Sequence, residues 1–317
     1  MKKLAVVALG GNALLKGDQI GTIQEQEANV LHTCKHLVQL IKSDYDIVIG
    51  HGNGPQVGNV LLQHDGGFKV YGTPAMPMDI CVAETQGSIG YMIEQQLHNV
   101  LKVEDLDRDI ITIVTQVLVD KSDAAFDNPT KPVGPFYSNE EAQKLKEEKA
   151  WTFQQDPRGR GWRRVVPSPK PISISNSKSI AALSRSGQIV IAVGGGGIPV
   201  FYVEPDKLEG IEAVIDKDLA LSLLATHIGA DAFFILTDIS KVYINYRKEG
   251  EKALDVITVS EAKQYLAEGH FTEGSMAPKV RAAIQFVENG GKETIITEAR
   301  MLGIANQGTH IIADKLK

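Results

Sequence analysis

The stretch KLAVVALGGNA, residues 3 to 13, sets an apolar run directly against a glycine pair. Residues 4–9 do not alternate between apolar and polar, so the run predicts a strand covered on both faces rather than one wet on one side. The same construction recurs along the chain: DIVIG (46–50), DIITIVTQVLV (109–119), QIVIAV (188–193), AFFILT (232–237) and ETIIT (293–297). Helical segments are expected between them at about 24–42, 78–101, 177–186, 218–229, 259–268 and 275–289. Strands alternating with helices predict an α/β chain, a three-layer αβα sandwich around an open, mainly parallel sheet.

One region breaks the rhythm. From about residue 121 to 170 the regular apolar runs thin out, and Pro, Gly, Lys and Arg dominate, as in NPTKPVGPFY and PRGRGWRRVVPSPKP. Some fifty residues are too many for a structureless connection, which predicts a small protruding lid subdomain.

Length and composition narrow the function. The 317 residues, 43% of them hydrophobic, suffice for a large core or two lobes, and the net charge of -6 argues against a general nucleic-acid binder. With only Cys34 and Cys81 and no CxxC, neither a disulfide framework nor a structural zinc site is indicated, and a reduced, cytoplasmic setting is expected. The lysines ahead of the first apolar run imitate a leader. Gly10, Gly11 and Asn12 interrupt it, however, and no run is long enough for a membrane helix.

Three glycine turns follow predicted strands: LGGNA (9–13), GHGNGPQVGN (50–59) and VGGGGIP (193–199). Glycine lets backbone amides approach a ligand, and ligands of open α/β sheets bind at strand C-terminal ends, so three such turns predict a shared anion site. Familiar nucleotide signatures fail. NGGKET (289–294) has Phe286 where a P-loop needs glycine, GNGPQVG is not GxGxxG, and GxSxG, HExxH and the protein-kinase elements are absent. His51 has no partner in sequence and is read as structural. Lys131, Lys217 and Lys279 near these turns have the chemistry of phosphoryl transfer, where positioning and charge neutralisation dominate. In AVIDKDLA (213–220), Asp216 and Asp218 flank Lys217. This is either a helix start with an acidic cap or a lysine held by a carboxylate to grip an anion.

ALGGNA, HGNGPQVGN, TQGSIGYM, NPTKPVGPFY, GRGWRRVVPSPKP, GGGGIPV, EAVIDKDLA and GHFTEGSMAPKVRAAIQF together resemble carbamate kinase, in the order of that family and over nearly the whole chain. The resemblance implies the amino acid kinase fold and reversible phosphoryl transfer from ATP to carbamate, usually run toward ATP from carbamoyl phosphate in arginine- or agmatine-type catabolism. It implies a carbamate-binding lobe at 1–187, lid included, an ATP/ADP-binding lobe at 188–317, Mg²⁺ accompanying the nucleotide, and a homodimer. Gly10, Gly11, Asn12, Gly52, Asn53 and Gly54 would surround carbamate and the transferred group. Lys217 and Lys279 would stabilise the bridging charge, Asp218 would orient them, and Lys131 would reach in from the lid. Gly195, Gly196, Asp238, Tyr243, Met276 and Lys279 fall on the nucleotide side, and Asp216 is the candidate near the metal. Acetylglutamate-kinase-like relatives carry a lysine where this chain has Ala8, which points to the carbamate branch with Lys217 as replacement. Pro157 and Arg158 depart from the residues expected before GRGW. Another acylphosphate-forming kinase of the superfamily and a non-catalytic nucleotide-binding regulator are the alternatives.

Overall fold

A computed structural model describes residues 2–156 and 159–314, so the departure at Pro157 and Arg158 lies outside the described residues. The chain opens with β1 (Lys3–Ala8), α1 (Ile23–Lys42), β2 (Tyr45–Gly50), α2 (Gly54–Tyr71), α3 (Met78–Val103), β3 (Ile110–Thr112) and β4 (Gln116–Val119). The lid follows as β5 (Lys131–Tyr137), α4 (Asn139–Lys149), β6 (Thr152–Gln155) and β7 (Trp162–Val166). The body resumes with β8 (Pro171–Ile174), α5 (Ser177–Arg185), β9 (Ile189–Ile191), β10 (Ile198–Glu204), β11 (Lys207–Gly210), α6 (Lys217–His227) and β12 (Ala232–Thr237). It closes with β13 (Val242–Ile244), β14 (Lys252–Leu254), β15 (Val256–Thr258), α7 (Val259–Ala267), α8 (Met276–Glu288), β16 (Glu293–Glu298) and β17 (Thr309–Ile312).

Eight strands form the main sheet in the order β15-β17-β16-β12-β1-β2-β9-β3, parallel throughout except where β16 meets β17. Side chains alternate faces along β1, and both faces are apolar. Leu4, Val6 and Ala8 join a core with Leu221 and Leu224 of α6 and Phe286 of α8, while Ala5, Val7 and Leu9 join a second core with Leu37 of α1 and Ile93 of α3. This two-sided burial is the three-layer sandwich that the unalternating runs predict. Capping boxes fix where helices start: Thr22 with Glu25 opens α1, and Thr258 with Glu261 opens α7.

The run 109–119, predicted as one strand, is two. Ile110–Thr112 ends the main sheet at its edge, and Gln116–Val119 enters a second sheet ordered β11-β10-β4-β8. The lid is a three-stranded antiparallel sheet, β5-β7-β6, flanked by α4. Its base is packed to the body through a small core in which Val133 and Val166 meet Val57, Val82 and Ile198. No helix among the described residues is long and apolar enough to cross a membrane.

Candidate active site

A cleft of about 530 Å³ opens at the C-terminal ends of β1, β2 and β12. Into it come Gly10, Gly11 and Asn12 after β1, Gly52, Asn53 and Gly54 after β2, Gly195, and Asp238 after β12. Asp216, Lys217 and Asp218 meet them from the start of α6, Lys279 from the first turn of α8, and Lys131 from the lid. Gly196, Tyr243 and Met276 do not line this cleft. Gly196 is packed against Ile215, Tyr243 stacks on Tyr246, and Met276 packs against the core beneath α8.

The turn at Gly10 needs glycine for a steric reason, since a Cβ there would stand 2.6 Å from the Leu236 carbonyl oxygen of the neighbouring strand. Only a residue without a side chain lets the β1 and β12 ends converge on one cleft.

Asp218 is the centre of the charge arrangement. It is 4% exposed, and its carboxylate accepts from Lys217 Nζ at 2.5 Å and from Lys279 Nζ at 2.9 Å. Burial pushes its carboxyl up, but the two lysines outweigh that and hold it well below the usual carboxylate range. Burial pulls the Lys217 ammonium down to about 8; Asp218 opposes the fall and the neighbouring Lys279 adds to it. For Lys279 the same burial is outweighed by Asp218, and its ammonium is held above the ordinary lysine range. Two ammonium groups on one carboxylate leave a surplus positive charge. Desolvating ions costs several kcal/mol each, of order, so such a surplus calls for an anion.

Of the two readings of the AVIDKDLA stretch, Asp218 holding Lys217 meets one, and Asp216 at the head of α6 meets the other. One oxygen caps α6 by accepting from the N–H groups of Asp218 and Leu219, and the other accepts from Lys131 Nζ at 2.8 Å. Burial pushes the Asp216 carboxyl up, but Lys131 outweighs it and the net shift is downward. The lid lysine, 85 residues earlier in the chain, is thereby tied to the head of α6.

His51 is buried and does not line the cleft. Burial pulls its imidazole down to about 4, so the ring is neutral, and its Nδ1 donates to the Gly52 carbonyl at 3.0 Å. Sequence reasoning did not single out Lys16, Thr237, Ser275 or Arg300, which also line the cleft. Exposed polar residues after a strand or before a helix carry no signal until the topology brings them together. Among the described residues, no group of three or more His, Cys, Asp or Glu side chains is placed to hold a metal.

Residues 3–298 match the model of the amino acid kinase family. The chain is 55% identical over 295 residues to the carbamate kinase of Thermococcus kodakarensis, covering 93% of each. It is 46% identical over 317 residues to the carbamate kinase of Lentilactobacillus hilgardii, covering 99% of this chain and 98% of that one. The fold matches the carbamate kinase of Giardia lamblia bound to AMP-PNP with a TM-score of 0.91 at 43% identity, covering 99% of both chains. A surplus-cationic cleft between glycine turns, on a fold and a sequence shared over almost the full length, places the chain in the amino acid kinase family, among the carbamate kinases.

Proposed function

We propose that the cleft is where ATP and carbamate exchange a phosphoryl group, and that the enzyme runs toward ATP from carbamoyl phosphate and ADP. The observation that carries this is the Asp218 carboxylate shared by Lys217 and Lys279, a cationic pair facing the glycine turns. Carbamate is already an anion, so its oxygen attacks the γ-phosphorus without a general base. What the reaction requires is amides and ammonium groups placed where charge develops. Lys217 and Lys279 stabilise the bridging oxygen, Asp218 holds them in pose, and Lys131 meets the carbamoyl phosphate side. Gly10, Gly11, Asn12, Gly52, Asn53 and Gly54 surround the acceptor and the transferred group. Gly195 and Asp238 stand on the nucleotide side, with Gly196, Tyr243 and Met276 supporting it from outside the cleft. Residues 1–187 thus serve carbamate and 188–317 the nucleotide, and two chains pair as a homodimer.

Mg²⁺ is proposed to arrive with the nucleotide. The residues fit an ion held by phosphate oxygens and water rather than an all-protein cage, because both Asp216 oxygens are already engaged and no acidic cluster of three is present among the described residues. When bound, the ion neutralises phosphate charge that the lysines do not reach.

The test is ATP formation from carbamoyl phosphate and ADP with and without Mg²⁺, set beside the same assay with acetylglutamyl phosphate. Turnover with carbamoyl phosphate that requires Mg²⁺ is expected. Absence of turnover, or preference for the other acylphosphate, would overturn the reading. Sedimentation tests the homodimer, and a monomer mass at micromolar concentration would remove it.

A further inference from the structure

The motif TQGSIGYM, residues 85–92, lies on α3 behind the glycine turns and contributes nothing to the lining of the cleft. Its first two side chains are nevertheless polar and buried, Thr85 at 0% and Gln86 at 2% exposure. Buried polar groups are costly unless every bond is made, so the partners of these two show what they are for.

Gln86 spends its whole amide on backbone. Its Oε1 accepts from the Thr115 N–H at 2.7 Å, and its Nε2 donates to the Thr115 carbonyl at 3.1 Å and to the Gly194 carbonyl at 3.0 Å. Thr115 stands in the gap where the 109–119 run changes sheets: its carbonyl also accepts from the Ile198 N–H of β10 at 2.9 Å, and Gln86 supplies the partner for its N–H that a neighbouring strand otherwise gives. The Thr115 hydroxyl accepts from the Val193 N–H at 3.1 Å and donates to the Ile113 carbonyl at 2.8 Å.

Val193 is strained. Its φ of 55° and ψ of 34° put a β-branched residue in the left-handed region, where such residues are genuine outliers. Strain of this kind persists only where the surroundings over-determine it. Gln86 and Thr115 are part of those surroundings, since they hold the backbone on either side of the Val193–Gly194 peptide, and the Gly195 N–H donates to the His51 carbonyl at 2.7 Å beyond it. The strained turn presses Gly195 against the Asn53 side chain so closely that a Cβ at Gly195 would overlap it. From its other side, the Asn53 Nδ2 donates to Thr85 Oγ1 at 2.8 Å, while that hydroxyl donates to the Val82 carbonyl at 2.7 Å. Because the Thr85 proton is committed to Val82, Thr85 can only accept from Asn53, which fixes which end of the Asn53 amide is the NH₂.

We infer that Gln86 and Thr85 are positioning residues for carbamoyl phosphate binding: Thr85 sets the orientation of Asn53 directly, and Gln86 sets its position by holding the strained Val193–Gly197 turn against it. The inference rests on the role of Asn53 proposed above. Neither side chain reaches the cleft, so each acts through Asn53.

The experiment is steady-state ATP formation by the full-length enzyme with carbamoyl phosphate and ADP varied separately, for Gln86→Met, Gln86→Met/Val193→Gly and Asn53→Ala. For Gln86→Met, kcat/KM for carbamoyl phosphate is expected to fall about 10- to 100-fold, the scale set by ångström misplacement of a binding group, with the KM for ADP within about two-fold. The added Val193→Gly is expected to recover much of the loss, because glycine takes this φ without strain. A Gln86 that serves stability alone would lower the melting temperature and scale kcat with the folded fraction, leaving both KM values unmoved. That result, or a double variant no better than Gln86→Met, would overturn the inference. Gln86→Glu, which keeps the side-chain volume and the acceptor for Thr115, is read by the same criteria if Gln86→Met does not fold. An Asn53→Ala enzyme with unchanged kinetics would instead bring down the reading of Asn53, a failure separate from one confined to Gln86.

Discussion

The floor of the cleft and the lid above it supply charge to the same place under different constraints. On the floor, Asp218 and Asn53 are 4% and 3% exposed, and their partners come from helices packed on the main sheet. The lid brings in Lys131 on a small sheet whose further ties to the body include Lys149 with Asp65 and Arg164 with Glu212, where Glu212 is exposed. Burial makes the floor geometry expensive to alter, because removing one partner strands an uncompensated charge. The Lys131 side chain is one-third exposed at 33%, so its tie to Asp216 is the lid contact whose partner water or a ligand can replace. On the proposed function, the floor would hold transition-state charge and the lid would admit and release substrate.

Lys217→Ala attacks the floor and carries the largest expected effect. A drop in kcat of about 100-fold or more, with little change in the KM for ADP, is expected for a contact made chiefly in the transition state. Near-normal kcat in a folded variant would make the floor no more important than the lid. Gly58→Ala attacks the lid instead. A Cβ at Gly58 on α2 would overlap Gly134 Cα of β5, so the lid must shift where backbone meets backbone. An approximately 10-fold loss in kcat/KM for carbamoyl phosphate is expected, with ADP binding spared, since only the lid moves. Equal losses for both substrates would erase the distinction between the two regions.

The smallest effect is a pH dependence. Burial leaves Lys217 at about 8 against an ordinary 10.5, so the free enzyme loses this charge as pH rises through 8. The kcat/KM for carbamoyl phosphate should therefore fall on the alkaline side with an apparent pKa near 8, while the limb in kcat lies higher because a bound polyanion favours the charged form. Stability runs the other way. Between pH 8 and 10.5 the unfolded chain binds this proton and the folded chain does not, so the contribution of Lys217 to stability rises with pH across that window. Coincident limbs for kcat and kcat/KM would show that Lys217 does not meet the anion.

Sequence and structure agree best where burial acts on continuous segments. The runs at 3–9, 46–50, 232–237 and 293–297 are strands because both of their faces must be dry. The run 109–119 shows the limit of that reasoning: hydrophobic pattern reports burial but not which sheet buries a residue, and the switch at Ile113–Thr115 depends on an amide from Gln86. The helix at Gly54–Tyr71 went unread for another reason. Pro55, Gly58, Gly66 and Gly67 read as turn residues, yet Pro55 occupies the first turn where its missing N–H is harmless, and Gly58 is there for the lid. Within the site, Lys217 and Asp218 were legible as neighbours, and both the cap and the ion pair read into AVIDKDLA are present. The ties from Asp216 to Lys131 and from Asp218 to Lys279 join residues 85 and 61 apart, and no local spacing encodes them.

The lid departs from the body at the end of β4 and returns at the start of β8, two antiparallel strands in which Val119 stands opposite Pro171. An insertion whose ends lie side by side imposes no stretch on the layer beneath it. Its length can change without disturbing the main sheet, much as a loop tip tolerates a grafted domain.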